Sequence, residues 1–123
     1  MYPIHLLLAL FLIATTSSVK ATQIPASTRT EISALFKKLI DSGCQFNRNG
    51  HWYSGTEAQS HLTKKLDYLE RKSMLKTTED FIKLAASASS YSRKAYLVKC
   101  GSTQAIESKI WLSDQLKILR ESK

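Results

Sequence analysis

The apolar positions recur with different periods along the chain, and the periods predict its elements. Ile32, Leu35, Phe36, Leu39 and Ile40 fall at i, i+3, i+4, i+7 and i+8, a one-sided helical stripe. Thr28 and Glu31 ahead of it have the spacing of a capping box, and Gly43 behind it suits the left-handed residue that ends a helix. Residues 44–48, the dipeptide Asn49-Gly50 and residues 51–54 predict a β-hairpin, because both turn residues tolerate positive φ. A second capping box, Thr56 with Gln59, predicts a helix that buries Ala58, Leu62, Leu66 and Leu69 and turns Lys64, Lys65, Arg71 and Lys72 largely elsewhere. A third helix starts at Thr77, with Glu79 and Asp80 at its positive end, and buries Phe81, Ile82, Ala85 and Ala86. The serine-rich run 86–92 breaks the period. Residues 95–100 then predict a strand with Tyr96, Val98 and Cys100 on one face. Residues 101–104 turn the chain into a last helix that opens near Ser108 and carries Trp111, Leu112, Leu116 and Leu119.

The order helix, hairpin, helix, helix, strand, helix predicts an α+β fold: about four helices packed on a small antiparallel sheet made of the hairpin and one strand. With 123 residues, 43% of them hydrophobic, the chain has material for a single core. The unbroken apolar run from Leu6 to Ala14 is too short to span a bilayer, which takes roughly 20 residues. Followed by Val19-Lys20-Ala21, with small residues at −3 and −1, it reads as a signal peptide. Residues 1–21 are therefore expected to be cleaved after Ala21, leaving a short arm at 22–27, a single domain over 28–123 and no transmembrane segment in the mature chain. In an oxidising compartment Cys44 and Cys100 are the only possible intramolecular pair, and a bridge between them is expected; the alternatives are two buried thiols or an intermolecular bridge. Closing so long a loop contributes roughly 4 kcal/mol in the chain-entropy picture.

Chemistry is harder to find. No nucleophile elbow, zinc-protease helix, phosphate loop or dinucleotide fingerprint is present. Ser73 and Lys76 have the S-x-x-K spacing of penicillin-recognising enzymes without the partner motifs, and read as a solvated linker. Glu57 and His61 lie one turn apart on the second helix, the arrangement of a carboxylate-oriented general base and equally of an ordinary helix ion pair. As metal ligands they are two short of the usual set. No catalytic residue, metal or cofactor is assigned. The 18 Lys and Arg outnumber the 10 Asp and Glu, and the pairs Lys37–Lys38, Lys64–Lys65 and Arg71–Lys72 suit an anionic partner. An exported chain rarely meets nucleic acid, so an acidic protein or an anionic envelope component is the better fit.

Several blocks resemble the YfeK-like family of small bacterial periplasmic proteins. They are Cys44-Gln45-Phe46-Asn47-Arg48-Asn49-Gly50, Tyr53, Glu57-Ala58 with His61-Leu62, the run from Thr77 to Ile82, Ala86-Ser87 with Ser89-Ser90, Tyr96-x-Val98-x-Cys100, and Ser108 with Trp111-Leu112 and Leu116. Arg93 and Ala95 stand where that family's pattern has Gly and Pro. The resemblance implies a periplasmic location and brings no assigned activity. The expected function is that of an exported binding or interaction protein: an immunity protein, an inhibitor or an envelope accessory factor. The expected surface comprises Arg48, Asn49, Glu57, His61, Ser87, Ser89, Ser90 and Tyr96, if the hairpin, the second helix and the serine run converge. The competing reading is a small hydrolase built from Glu57, His61 and one of the serines.

Overall fold

The computed structural model describes Pro3 and residues 11–18 and 23–123. The expected cleavage position after Ala21 and the first half of the Leu6–Ala14 run lie outside the described residues. The elements are α1 (Ala26–Asp41), β1 (Gln45–Arg48), β2 (His51–Tyr53), α2 (Gly55–Arg71), α3 (Thr78–Ala85), β3 (Leu97–Lys99), β4 (Ile106–Glu107) and α4 (Ser108–Glu121). The fold is α+β, with four helices and one antiparallel sheet in the order β2-β1-β3-β4.

Helix α1 does not open with the expected capping box. It starts at Ala26 behind Pro25, without a side-chain cap, and Ile24 in the arm before it is buried in the core. Both residues of the expected box have partners far along the chain instead. The Thr28 hydroxyl donates to the Lys76 carbonyl at 2.8 Å, and the Glu31 carboxylate accepts from Thr78 at 2.7 Å and from Arg120. The stripe itself holds for Ile32, Leu35 and Leu39, which are buried, while Phe36 packs edge-on against Phe81 with ring centroids 5.6 Å apart. Ile40 is 45% exposed, because it lies beyond the arc that α2, α3 and α4 cover. Gly43 follows the helix at φ +67°, as a C′ residue should.

The hairpin has the expected two-residue turn, with Asn49 at φ 53° and Gly50 at φ 86°, flanked by the pair Arg48 and His51. Strand β1 pairs on its other side with β3, Phe46 opposite Val98 and Gln45 opposite Lys99. One step further in that register stand Cys44 and Cys100, which form the disulfide. The two residues of β4 add a fourth strand where only a turn and a helix start are expected from the sequence. Phe46, Val98 and Tyr96 face the helices and join a core with Leu62, Leu66, Phe81, Trp111 and Leu112. Phe46 meets Trp111 edge-on at 5.6 Å.

The second capping box lies two residues ahead of the expected one. Ser54 accepts from the Glu57 amide and the Glu57 carboxylate accepts from the Ser54 amide, so Ser54 and Glu57, not Thr56 and Gln59, open α2. Gly55 then meets α1 so closely that a Cβ there would stand 2.1 Å from the Leu39 carbonyl oxygen. A methyl group has no room against backbone, so glycine at this crossing sets how near α2 approaches α1. Helix α3 is capped as expected at Thr77, with Asp80 completing the box.

Candidate functional site

A cavity of about 320 Å³ opens between the hairpin and α2. Its apolar wall consists of Leu39, Phe46, Ala58 and Leu62, with Tyr53 at the hairpin side. Arg48, His61 and Tyr96 supply its polar end. Arg48 and Tyr96 reach the site from neighbouring strands, since continuing the register of β1 with β3 sets them opposite each other. His61 arrives from α2, on the same side of the helix as buried Leu62 and half-buried Lys65.

The hydrogen bonds assign a direction to this cluster. Arg48 Nη1 lies 3.2 Å from His61 Nδ1, and His61 Nε2 lies 3.1 Å from the Tyr96 hydroxyl. A guanidinium can only donate, so Nδ1 is the accepting nitrogen and the imidazole proton sits on Nε2. Tyr96 Oη then accepts from His61 and also from Lys65 Nζ at 3.2 Å. The hydroxyl's own proton takes part in neither bond. Lys65 is anchored further by the Ala88 carbonyl at 3.1 Å and lies 5.0 Å from the Tyr96 ring centroid. Arg48 lies 5.4 Å from the Tyr53 ring centroid, within cation–π range.

Burial, then the charges of Arg48, Lys65 and Lys64, hold the His61 pKa below its ordinary value. Burial followed by Arg48 likewise lowers Lys65, and burial raises the Tyr96 phenol. Burial and the neighbouring cations therefore favour the neutral imidazole, which accepts from Arg48 and donates to Tyr96. Lys64 also lines the cavity, and Glu57 at its rim is the one carboxylate among the lining residues. Glu57 and His61 make neither an ion pair nor a hydrogen bond with each other; the carboxylate is turned to the Ser54 amide.

The remaining expected residues divide. Asn49 and Ser89 meet, Nδ2 donating to Oγ at 3.3 Å, and Ser92 donates to Asn49 Oδ1. Ser89 Oγ also accepts from the Tyr91 and Ser92 amides, so this buried hydroxyl closes a turn of the loop after α3. The hairpin, α2 and the serine loop do converge, through Asn49–Ser89 and Lys65–Ala88. Ser87 instead donates to the Ile82 carbonyl at 2.6 Å and faces the groove between α3 and α4, and Ser90 is exposed on the loop. None of the three serines lines the cavity that holds His61, and neither Ser73 nor Lys76 does.

Lys65, expected with Lys64 on a basic face suited to an anionic partner, instead donates to Ala88 and Tyr96; its i+4 spacing from His61 is the signal in the sequence. Among the described residues no group of three His, Cys, Asp or Glu can hold a metal ion, and no helix is long and apolar enough to cross a membrane. Comparison with curated proteins and with solved structures finds no match. A family model matches residues 26–120, from the first residue of α1 into the last turn of α4, so it spans every element that builds the cavity, and on that match the chain belongs to the Family of unknown function (DUF5329).

Proposed function

We propose that the protein is an exported periplasmic binding protein whose cavity between the hairpin and α2 takes a small ligand with a monoanionic group. One observation carries this reading: hydrogen-bond donors gather at one end of a largely apolar cavity. Arg48, the Tyr96 hydroxyl proton and Lys64 all offer hydrogen, and His61 is held in the tautomer that keeps Arg48 and Tyr96 in place. An anion satisfies such a set, and a neutral acceptor does so less well. The expected hydrolase constellation of Glu57, His61 and one of Ser87, Ser89 and Ser90 does not assemble, because none of those three serines lines the cavity and Glu57 turns to the Ser54 amide. The export half of the reading is supported by the Leu6–Ala14 run with Val19-Lys20-Ala21 and by the resemblance to YfeK-like proteins. The Cys44–Cys100 disulfide suits an oxidising compartment.

The test is a calorimetric or NMR titration of the chain from Thr22 onward with 4-methylpentanoate and L-leucine, each against its own amide. At least one carboxylate should bind more tightly than its amide by about tenfold or more. Arg48→Gln should remove that difference while the protein still melts cooperatively. Absence of binding by both carboxylates, or equal binding of acid and amide, overturns the reading.

A further inference from the structure

We infer that the ligand is an α-amino acid with an apolar side chain, either free or as the C-terminal residue of a peptide; this rests on the anion-pocket reading. The cavity brings together three chemistries, and an amino acid with a free carboxylate is the small unit that carries the complement of all three. The carboxylate faces Arg48, whose planar fork suits it, and the Tyr96 hydroxyl. The side chain enters the wall of Leu39, Phe46, Ala58 and Leu62. The nitrogen, an ammonium or an amide N–H, faces Glu57.

Glu57 decides between this ligand and a simple apolar acid. It stands one helical turn before His61 on α2, roughly 6 Å along the axis. It makes no ion pair with Arg48 or Lys64 among the described residues. One of its oxygens accepts from the Ser54 amide at 3.1 Å, and a carboxylate has capacity for further donors. A plain fatty acid would set its own charge near this carboxylate with nothing to answer it. A phosphate dianion would meet Arg48 and Lys64 with their field already offset by Glu57. A ligand with a donor nitrogen beside its carboxylate turns the same residue into a contact. The volume of about 320 Å³ is at the small end for ligand sites, in keeping with one residue rather than a long chain.

The test compares L-leucine with 4-methylpentanoate, which is the same carbon skeleton and carboxylate without the amino group. L-Leucine should bind about tenfold more tightly or better. Glu57→Gln keeps an acceptor for the Ser54 amide, as capping boxes allow. It should erase the preference for leucine: leucine loses its partner for the ammonium, and 4-methylpentanoate, relieved of the neighbouring negative charge, binds more tightly than to the unaltered protein. The dipeptide Ala-Leu separates the sources: tighter binding than leucine assigns a peptide end, and weaker binding assigns the free amino acid. Equal binding of leucine and 4-methylpentanoate, or a preference that survives Glu57→Gln, overturns the amino-acid assignment and leaves the anion pocket standing. Failure of both compounds to bind overturns the two together. If Glu57→Gln does not fold, 4-methylpentanamide and L-leucinamide on the unaltered protein still test whether the nitrogen contributes.

Discussion

At the scale of single residues, His61 is the group on which the cavity turns. Arg48 from β1, Tyr96 beside β3, and Lys64 and Lys65 from α2 all face it, and three of these four are cations. The fold therefore favours the neutral imidazole, and the folded pKa lies below the ordinary 6.5. Below about pH 6.5 the unfolded chain binds the proton that the folded chain resists, so the stabilisation is present above that pH and is lost as pH falls toward the folded value. The melting temperature should drop as the pH is lowered from 7.5 to about 5, and His61→Gln, which can still accept from Arg48 and donate to Tyr96, should show a flatter profile over that range. An identical profile in the variant would mean that His61 is not the group responsible. Arg93 is informative in another way. It sits at φ 62°, a conformation natural to glycine.

At the scale of elements, the two possible starts of α2 show how a local pattern is resolved. Ser54-x-x-Glu57 and Thr56-x-x-Gln59 both have capping-box spacing, and the choice falls to where β2 stops. Tyr53 is still paired with Phe46, and Ser54 keeps an extended backbone, so the helix begins at Gly55 and Ser54 is its cap. Ser54→Ala should destabilise the protein by about 1 kcal/mol, whereas Thr56→Ala, on the exposed first turn, should change stability by less than about 0.5 kcal/mol in a denaturant titration. Equal effects would contradict the observed cap. The helical stripes, the Asn49-Gly50 turn and the Cys44–Cys100 bridge were legible because each rests on a short-range period or a rare residue type. Strand β4 was not, since two residues have no period and exist as a strand only through Leu97 opposite Glu107 and Val98 opposite Ile106.

At the scale of the whole molecule, one ionic cluster joins three helices. Arg120 of α4 donates to Glu31 of α1 at 2.9 Å through Nε and also to Glu79 of α3, while Thr78 donates to Glu31. The Arg120 and Thr78 hydrogen bonds hold the Glu31 carboxyl at about 2, well under its ordinary 4.5. Its contribution is therefore complete above pH 4.5 and fades as pH falls through about 2. Glu31→Gln should be less stable than the unaltered protein at neutral pH, and the gap in melting temperature should close across that acid window. A gap that stays constant would assign the loss to packing rather than charge.

Neighbours within a turn or two along the chain settle which face of each helix is apolar, where the hairpin reverses, and the order of elements that makes an α+β fold. The tertiary structure alone decided how side chains with several possible partners were used. Thr28 and Glu31 left their expected cap for Lys76, Thr78 and Arg120. Glu57 turned from His61 to Ser54. Lys65 joined Tyr96 and the serine loop. Polar groups seek the strongest available hydrogen-bond partner, and most of those partners here lie tens of residues away, set there by the packing of the core rather than by any local pattern.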